Sequence, residues 1–436
     1  MTTAIVGGGI MGVTLGYFLS QAGVKVTLYE GSPTLGGLAG PITLPDGVEV
    51  DRFYHAMLSS DDHLMGLCAE LGLTDQLRFK PTGTLVYSGG RLVSMNGLLD
   101  FLRFPPLGFV DRIRLGLTVL AAHRVTDWHE LEHVPMRDWL VSAGGEEVFR
   151  RFWGPMLHAK FDGAVGDTPA TWMWSRLVRT RSTRKGLRQR ETCGHLIGGY
   201  RTLLDAMARR IREQGGEIRL STPVSRVAIN GGRVQGIALG DEVVPCDTAV
   251  VTMQAPVAAR LVPEAPAAYR ERLTSQRYLG IVCPLFVLDR PLTNVWTLNI
   301  ADAEALVTGV IETTSYIDPA YVGGHHLVYV PKYVAPDSPW LTAPAEDIRR
   351  AWSAALARIA PGFADATVRH CLVHRERFVE PLHSAGAGER TLPFDAPVAG
   401  LHLCTTSQIY PALTNGESVT RHARDAAARL AARAAA

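Results

Sequence analysis

The chain has 436 residues, 47% hydrophobic and 20% charged, with a formal net charge of +2. That length is too great for one ordinary core and suits two intertwined domains, and so balanced a charge offers no global field for nucleic acid. Six scattered cysteines without a C-x-x-C pair point to neither a zinc site nor a disulfide framework, so no metal is expected and a reducing, cytoplasmic setting is.

A buried strand is predicted at Thr3–Val6, so no signal peptide is expected ahead of it. A glycine turn, Gly7–Gly12, then a helix, Met11–Ala22, and a second strand, Lys25–Glu30, open a βαβ unit. A Gly- and Pro-rich stretch runs to about Val50. Residues 61–195 read as mostly helical, with a hairpin near Thr84–Val93 turning at Gly89–Gly90. The most apolar stretch is Leu98–Ala122. It carries Arg103, Asp111, Arg112 and Arg114 around Pro105–Pro106, and no run of 18 uncharged apolar residues occurs anywhere, so a spanning helix is not expected. The first reading of this stretch is an amphipathic helix packed on its neighbours; the second is a surface that touches lipid or admits an apolar substrate.

After Gly194–Thr202 the pattern changes. A helix at Leu203–Gln214 is stopped by Gly215–Gly216, and strands follow at Glu217–Leu220, Val224–Ile229, Val234–Leu239 and Thr248–Thr252. Residues 276–384 alternate strands with one helix, Ala345–Ile359. A buried strand at Leu401–Thr405 and a helix from Gly416 to Arg433 close the chain. The fold class is therefore α/β: a Rossmann dinucleotide-binding domain (1–60, 196–270 and 395–436) interleaved with an α+β substrate domain (61–195 and 271–394).

The first turn contains Gly7-x-Gly9-x-x-Gly12. Gly7 permits the tight strand-to-helix turn, Gly9 lets backbone approach a pyrophosphate, and Gly12 lets helix and strand close. The pyrophosphate then rests on the helix N-terminus, at the N–H groups of Ile10 and Met11. Glu30 lies 18 residues beyond Gly12, where a carboxylate accepts hydrogen bonds from the adenosine ribose hydroxyls and repels a 2′-phosphate. No second such motif exists, so no separate NAD(P)H domain is expected.

Glu30 is followed by Gly31-Ser32-Pro33-Thr34-Leu35-Gly36-Gly37-Leu38-Ala39. The segment resembles the second glycine motif of glutathione-reductase-type flavoproteins, and more closely that of the amine oxidase and protoporphyrinogen oxidase superfamily. The stretch Gly198–Leu203 with EIRLSTPVSRV resembles that superfamily's returning strand, and LHLCTTSQIYPALTNGESVTRHAR resembles its flavin-closing motif. The resemblance covers most of the chain. It implies FAD, held by Gly31, Gly36, Gly37, Leu38 and Ala39, by the backbone of Val224 at the adenine, and by Asn415, Gly416, Glu417 and Ser418 at a helix N-terminus aimed at the flavin N1–C2=O edge. Where many relatives have Gly-Asp at the ribityl chain, Thr405–Thr406 stands here, so threonine hydroxyls take the carboxylate's place.

On the substrate side, the resemblance puts Cys283 where many amine oxidases carry a lysine. None of the five lysines (Lys25, Lys80, Lys160, Lys185, Lys332) lies on that strand, which argues against an ordinary amine oxidase. Cys283 reads first as a small buried hydrophobe. The segment HSAGAGERT has no cysteine for covalent attachment, so FAD is expected to be non-covalent. DRFYHAMLSSD loosely resembles the flavin-proximal segment of UDP-galactopyranose mutases, with His55 at their first histidine and Leu58 at their second. His55 and Tyr410 are the candidate catalytic residues; Cys283, Tyr333 and Arg179 are the candidate substrate residues. Arg179 belongs to a basic run (Arg176, Arg179, Arg181, Arg184, Lys185, Arg188, Arg190) that reads as a solvated loop first and an anion-recognition surface second. Trp153, Trp172 and Trp174 read as core. The expected function is an oxidase or dehydrogenase taking hydride from a substrate C–H, with reoxidation by oxygen or another acceptor. The alternative is a non-redox isomerase like the mutases.

Overall fold

The structure is a computed structural model, and it describes residues 2–96, 100, 104–161, 163, 166–182, 192–302 and 305–435. The chain starts with β1 (Thr2–Val6), α1 (Ile10–Gln21) and β2 (Lys25–Tyr29), in parallel register from Thr2↔Lys25 to Val6↔Tyr29. Ten of the twelve residues of α1 are buried, so this helix is core on every side. A short hairpin, β3 (Pro41–Thr43) and β4 (Glu49–Asp51), leads into α2 (Asp62–Glu70).

The segment expected to be mostly helical also holds four strands: β5 (Leu77–Pro81), the hairpin β6 (Thr84–Ser88) and β7 (Arg91–Ser94), and β8 (Thr192–Leu196). β5 and β8 pair with each other and tie the two ends of the excursion together. Between them lie α3 (Phe109–Ala122), α4 (Met136–Gly144), α5 (Gly154–Phe161) and α6 (Ala170–Ser182). α3 packs on its neighbours through one face, with Leu115, Thr118 and Ala122, and its other face is open.

α7 (Tyr200–Glu213) ends in a Schellman turn, with Gly215 at φ +83° and the Gly216 N–H donating to the Ile211 carbonyl. β9 (Glu217–Arg219) joins the edge beside β2. The next strand, β10, begins at Arg226, so Val224 lies outside it; Pro223 has no N–H to give a ladder, and the Thr222 N–H donates to the Glu30 carbonyl instead. β10 (Arg226–Asn230), β11 (Arg233–Leu239) and β12 (Glu242–Pro245) form an antiparallel meander, and β13 (Thr248–Val251) returns to pair with β1.

After helices α8 (Ala255–Leu261) and α9 (Ala267–Thr274), the long strand β14 (Arg277–Leu288) anchors the second large sheet. That sheet adds β15 (Thr297–Ile300), β16 (Gly309–Glu312), β17 (His326–Tyr329), β18 (Lys332–Val334) and β19 (Val368–Leu382), with α10 (Ala345–Ile359) packed on it through Ile348, Trp352 and Leu356. β20 (Leu401–Leu403) and α11 (Gly416–Ala435) return to the first sheet, whose order is β20-β13-β1-β2-β9. β2 extends one way from β1 and β13 the other. The carboxyl end of β1 is thus a topological switch point, where open α/β sheets bind ligands.

Candidate functional site: a dinucleotide cradle closed by the last helix

At the switch point, Gly7 has φ +110°, and a Cβ on Gly12 would lie 1.9 Å from the Gly7 carbonyl oxygen, so helix and turn close only without side chains. Gly9 differs: a Cβ there would meet nothing within 4 Å. The space above Gly9 and the N–H groups of Ile10, Met11 and Gly12 is where a pyrophosphate would rest. Gly36, at φ +113°, donates its N–H to the Gly8 carbonyl at 2.8 Å, and Gly37 packs on the Gly9 backbone. The two glycine motifs are thereby pinned together, with Leu38 and the buried Ala39 following in a short helical turn.

Glu30 sits just past β2. One carboxylate oxygen accepts the Gly8 N–H at 2.6 Å and the other the Ser32 N–H at 2.7 Å. These bonds hold the carboxylate in place and leave lone pairs for ribose hydroxyls. Gly31 packs against Pro223, which brings the segment carrying Val224 over the same end of the sheet. A dinucleotide fits this donor set.

The far end is built by the C-terminal segment. The Cys404 N–H donates to the Val251 carbonyl, and pairing of β20 ends before it. Thr405 is buried, and its hydroxyl caps the following turn in a reciprocal box with Gln408, so that hydroxyl is already engaged, while Thr406 is half-buried. Asn415 caps α11: its Oδ1 accepts the Ser418 N–H and its own N–H donates to the Ser418 hydroxyl, both at 3.1 Å. Glu417 accepts the Leu64 N–H at 2.9 Å, tying α11 to α2. A Cβ on Gly416 would lie 2.5 Å from the Tyr200 hydroxyl.

This helix start opens on a cavity of about 220 Å³ whose opposite wall is α6, with Trp174, Val178 and Arg179. Arg179 holds the buried Asp61 at 3.0 Å, so its charge is matched within the wall. Trp153 is buried in the core of the helical segment, Trp172 and Trp174 pack against that core, and Trp174 also lines the cavity. Arg184, Lys185, Arg188 and Arg190 lie outside the described residues.

The segment after β4 carries the titratable groups. His55 Nδ1 is 3.0 Å from the Phe53 carbonyl, which fixes the proton on Nδ1 and leaves the Nε2 lone pair; burial brings its pKa down to about 4. Asp51 accepts the Tyr200 N–H at 3.1 Å, and burial pushes its carboxyl up to about 7. Asp51 and His55 line a second, small cavity of about 40 Å³ together with His195, Tyr316 and Tyr329. Tyr54 shares a 3.2 Å hydroxyl contact with Tyr333, whose ring lies 3.6 Å under the Lys160 ammonium, itself 3.2 Å from Glu380. Burial opposes the Lys160 charge, but Glu380 and Tyr333 outweigh it and the pKa is raised.

Cys283 is fully buried opposite His374, and burial pushes its thiol up, so it packs as a hydrophobe. Tyr410 lies apart from His55 in the hydrogen-bond map: its hydroxyl meets Thr171 at 3.0 Å and its ring faces His383 and Trp128. Sequence reasoning did not find His195 or Lys160, which are isolated in the chain and meet their partners only through folding; Asp51 lies in the segment it singled out but was given no role.

The family model for flavin-containing amine oxidoreductases matches residues 12–431. The chain belongs to that family. That family is one of flavin-containing oxidoreductases. A zeta-carotene desaturase of Synechocystis sp. is 28% identical over 181 residues, 36% of this chain and 37% of the relative, so the match spans little more than a third of that protein. Among solved structures, a protein assigned as a protoporphyrinogen oxidase from Exiguobacterium sp. 255-15 aligns over 99% of each chain with a TM-score of 0.78 at 17% identity. A reduced UDP-galactopyranose mutase aligns over 98% of this chain and 95% of its own with a TM-score of 0.74 at 15% identity. At those identities the likeness is one of fold.

Proposed function

We propose that this member of the family is a dehydrogenase or oxidase that holds FAD non-covalently and oxidises a C–H bond of an apolar organic substrate. The observation that carries the reading is the capped start of α11 opening on the cavity walled by α6. When bound, FAD supplies the two-electron acceptor. The chain supplies the rest. Gly9 and the α1 N-terminus bind the pyrophosphate, Glu30 the ribose, and the α11 N-terminus favours negative charge at the flavin edge. His55, neutral with a free Nε2 lone pair, is the group able to take a proton released near the ring. Val178, Leu413 and Trp174 give the cavity an apolar side for such a substrate.

The apolar substrate class is supported by that wall and by the carotene desaturase relatives. The isomerase reading is weaker. Leu58, at the place of a second histidine, is buried, and Arg179, the cation suited to an anionic sugar nucleotide, is matched by Asp61. The test is anaerobic titration of the oxidised holoprotein with detergent-dispersed polyenes, amines and UDP-sugars. Stoichiometric bleaching of the flavin band by a polyene or amine is the expected result. Turnover of a UDP-sugar only after prior reduction, with no net electron transfer, would overturn it.

A further inference from the structure

Five of the eleven exposed large hydrophobic residues among the described residues lie on α3: Phe109, Val110, Ile113, Leu117 and Leu120. At 100° per residue they fall within one arc of about 100°, a continuous stripe on the solvent side of the helix. Phe109 is 71% exposed and Val110 58%. The packed side of α3 is apolar as well, so its amphipathicity is not the usual kind: the face turned to solvent is greasy where a surface helix is normally polar.

The charges on that face share one sign. Arg114 borders the stripe and Arg124 continues it past the helix end; no acid stands within it. Asp111 lies on the flank, 3.2 Å from Arg114, and Arg112 is turned inward onto the Phe104 and Leu107 carbonyls. The nearby acids Glu146 and Glu147 are held by Arg137 and Arg150, each at 2.8 Å. Residues 108–124 contain three arginines and one aspartate, a net charge of +2. The stripe exposes on the order of 500 Å² of apolar side chain, short of the roughly 800 Å² per partner that a stable protein interface needs, yet ample for insertion at a lipid headgroup boundary.

We infer that the outer face of α3 is a membrane-docking surface, which inserts its apolar stripe into the boundary of an anionic bilayer with Arg114 and Arg124 at the headgroups. α3 packs on α6, the helix that walls the cavity, so docking sets the cavity one helix layer from the lipid. The inference stands apart from the chemistry proposed above, because lipid binding is read without turnover.

The test sediments the holoprotein with vesicles of phosphatidylglycerol and phosphatidylcholine, or of phosphatidylcholine alone. The wild type is expected to pellet with the mixed vesicles. Phe109→Ser/Leu117→Ser/Leu120→Ser should lower the partition coefficient roughly 100-fold while flavin content and melting temperature stay unchanged. Arg114→Gln/Arg124→Gln should lower it roughly tenfold on anionic vesicles only. Leu117→Trp, a gain-of-signal variant, should show added blue-shifted emission and quenching by brominated lipid when vesicles are present. A wild type that stays in the supernatant, a triple variant that pellets undiminished, emission from the Leu117→Trp variant that vesicles leave unshifted, or a dimer that the triple variant dissolves without vesicle binding would each overturn the inference.

Discussion

Gly9 and Gly12 are three residues apart, and their glycines do different work. At Gly12 an added methyl collides with the Gly7 carbonyl at 1.9 Å, backbone against backbone. At Gly9 it meets open space, the space a pyrophosphate would fill. Gly12→Ala should therefore lose the fold, seen as insoluble protein or a collapsed melting transition. Gly9→Ala should keep a melting transition close to that of the wild-type apoprotein and lose flavin, seen as a fall of tenfold or more in the flavin-to-protein ratio. Equal damage from both substitutions would remove the distinction.

His55 and Asp51 are shifted by burial in opposite senses relative to neutral pH. With a pKa near 4, His55 is neutral throughout pH 5–8, so a reaction that uses its lone pair should show no histidine limb near pH 6.5 and should fail only as pH falls through about 4. His55→Ala should lower kcat roughly 100-fold or more with flavin retained; an unchanged kcat would take His55 out of the chemistry. Asp51 has a folded pKa of about 7, raised from 3.8. The folded state then holds the extra proton between these values, so stability falls as pH rises through this window and the cost is complete above about 7. In Asp51→Asn, which keeps the acceptor for the Tyr200 N–H, that slope should vanish. The difference between the two proteins should change by roughly 4 kcal/mol at most between pH 4 and 7, read from denaturant melts across pH.

At the scale of elements, the α11 start shows what local sequence specifies. Asn415 and Ser418 cap each other's backbone, a polar signature legible three residues apart, and Gly416 is required by the Tyr200 hydroxyl. Asn415→Ala should cost about 1 kcal/mol of stability and weaken flavin binding at the same time, because the first turn that the cap holds lines the cavity; differential scanning fluorimetry and flavin titration on the same sample check both. The helix α10 and the hairpin at Gly89–Gly90 were equally legible, since amphipathic spacing and paired turn glycines are local signals. Val224 was misplaced for a nonlocal reason. Alternating apolar residues suggested a longer strand, but the chain around Pro223 is held by Glu30 and Ser32, far away in sequence. The exposed side of α3 was also hidden: its apolar residues run round most of the helix, so periodicity could not tell which side the rest of the molecule would leave open.

At the scale of the molecule, the glycine turns and the helix start of the proposed cofactor cradle were readable from both ends of the chain, because such elements are specified by the local backbone. The lysine was not. Strand β14, where the resemblance seeks one, offers Cys283, while Lys160 arrives from α5 and lies over Tyr333, which contacts Tyr54. Helical excursion, long sheet and post-hairpin segment thus meet in one cluster, Lys160–Glu380–Tyr333–Tyr54, that exists only when the whole chain is folded. If this cluster orders Tyr54 beside the site, Lys160→Met should leave a flavin-binding protein, since Lys160 touches nothing in the dinucleotide cradle, but should leave Glu380 without its cation and Tyr333 without its covering charge. The expected result is a loss of about 1–3 kcal/mol in stability and an altered visible flavin spectrum at unchanged flavin stoichiometry. Lys160→Met/Glu380→Gln should recover part of the stability by removing the stranded carboxylate, without restoring the spectrum, because the ammonium over Tyr333 is still missing. A wild-type spectrum in the single variant would show that the cluster braces the fold without reaching the flavin.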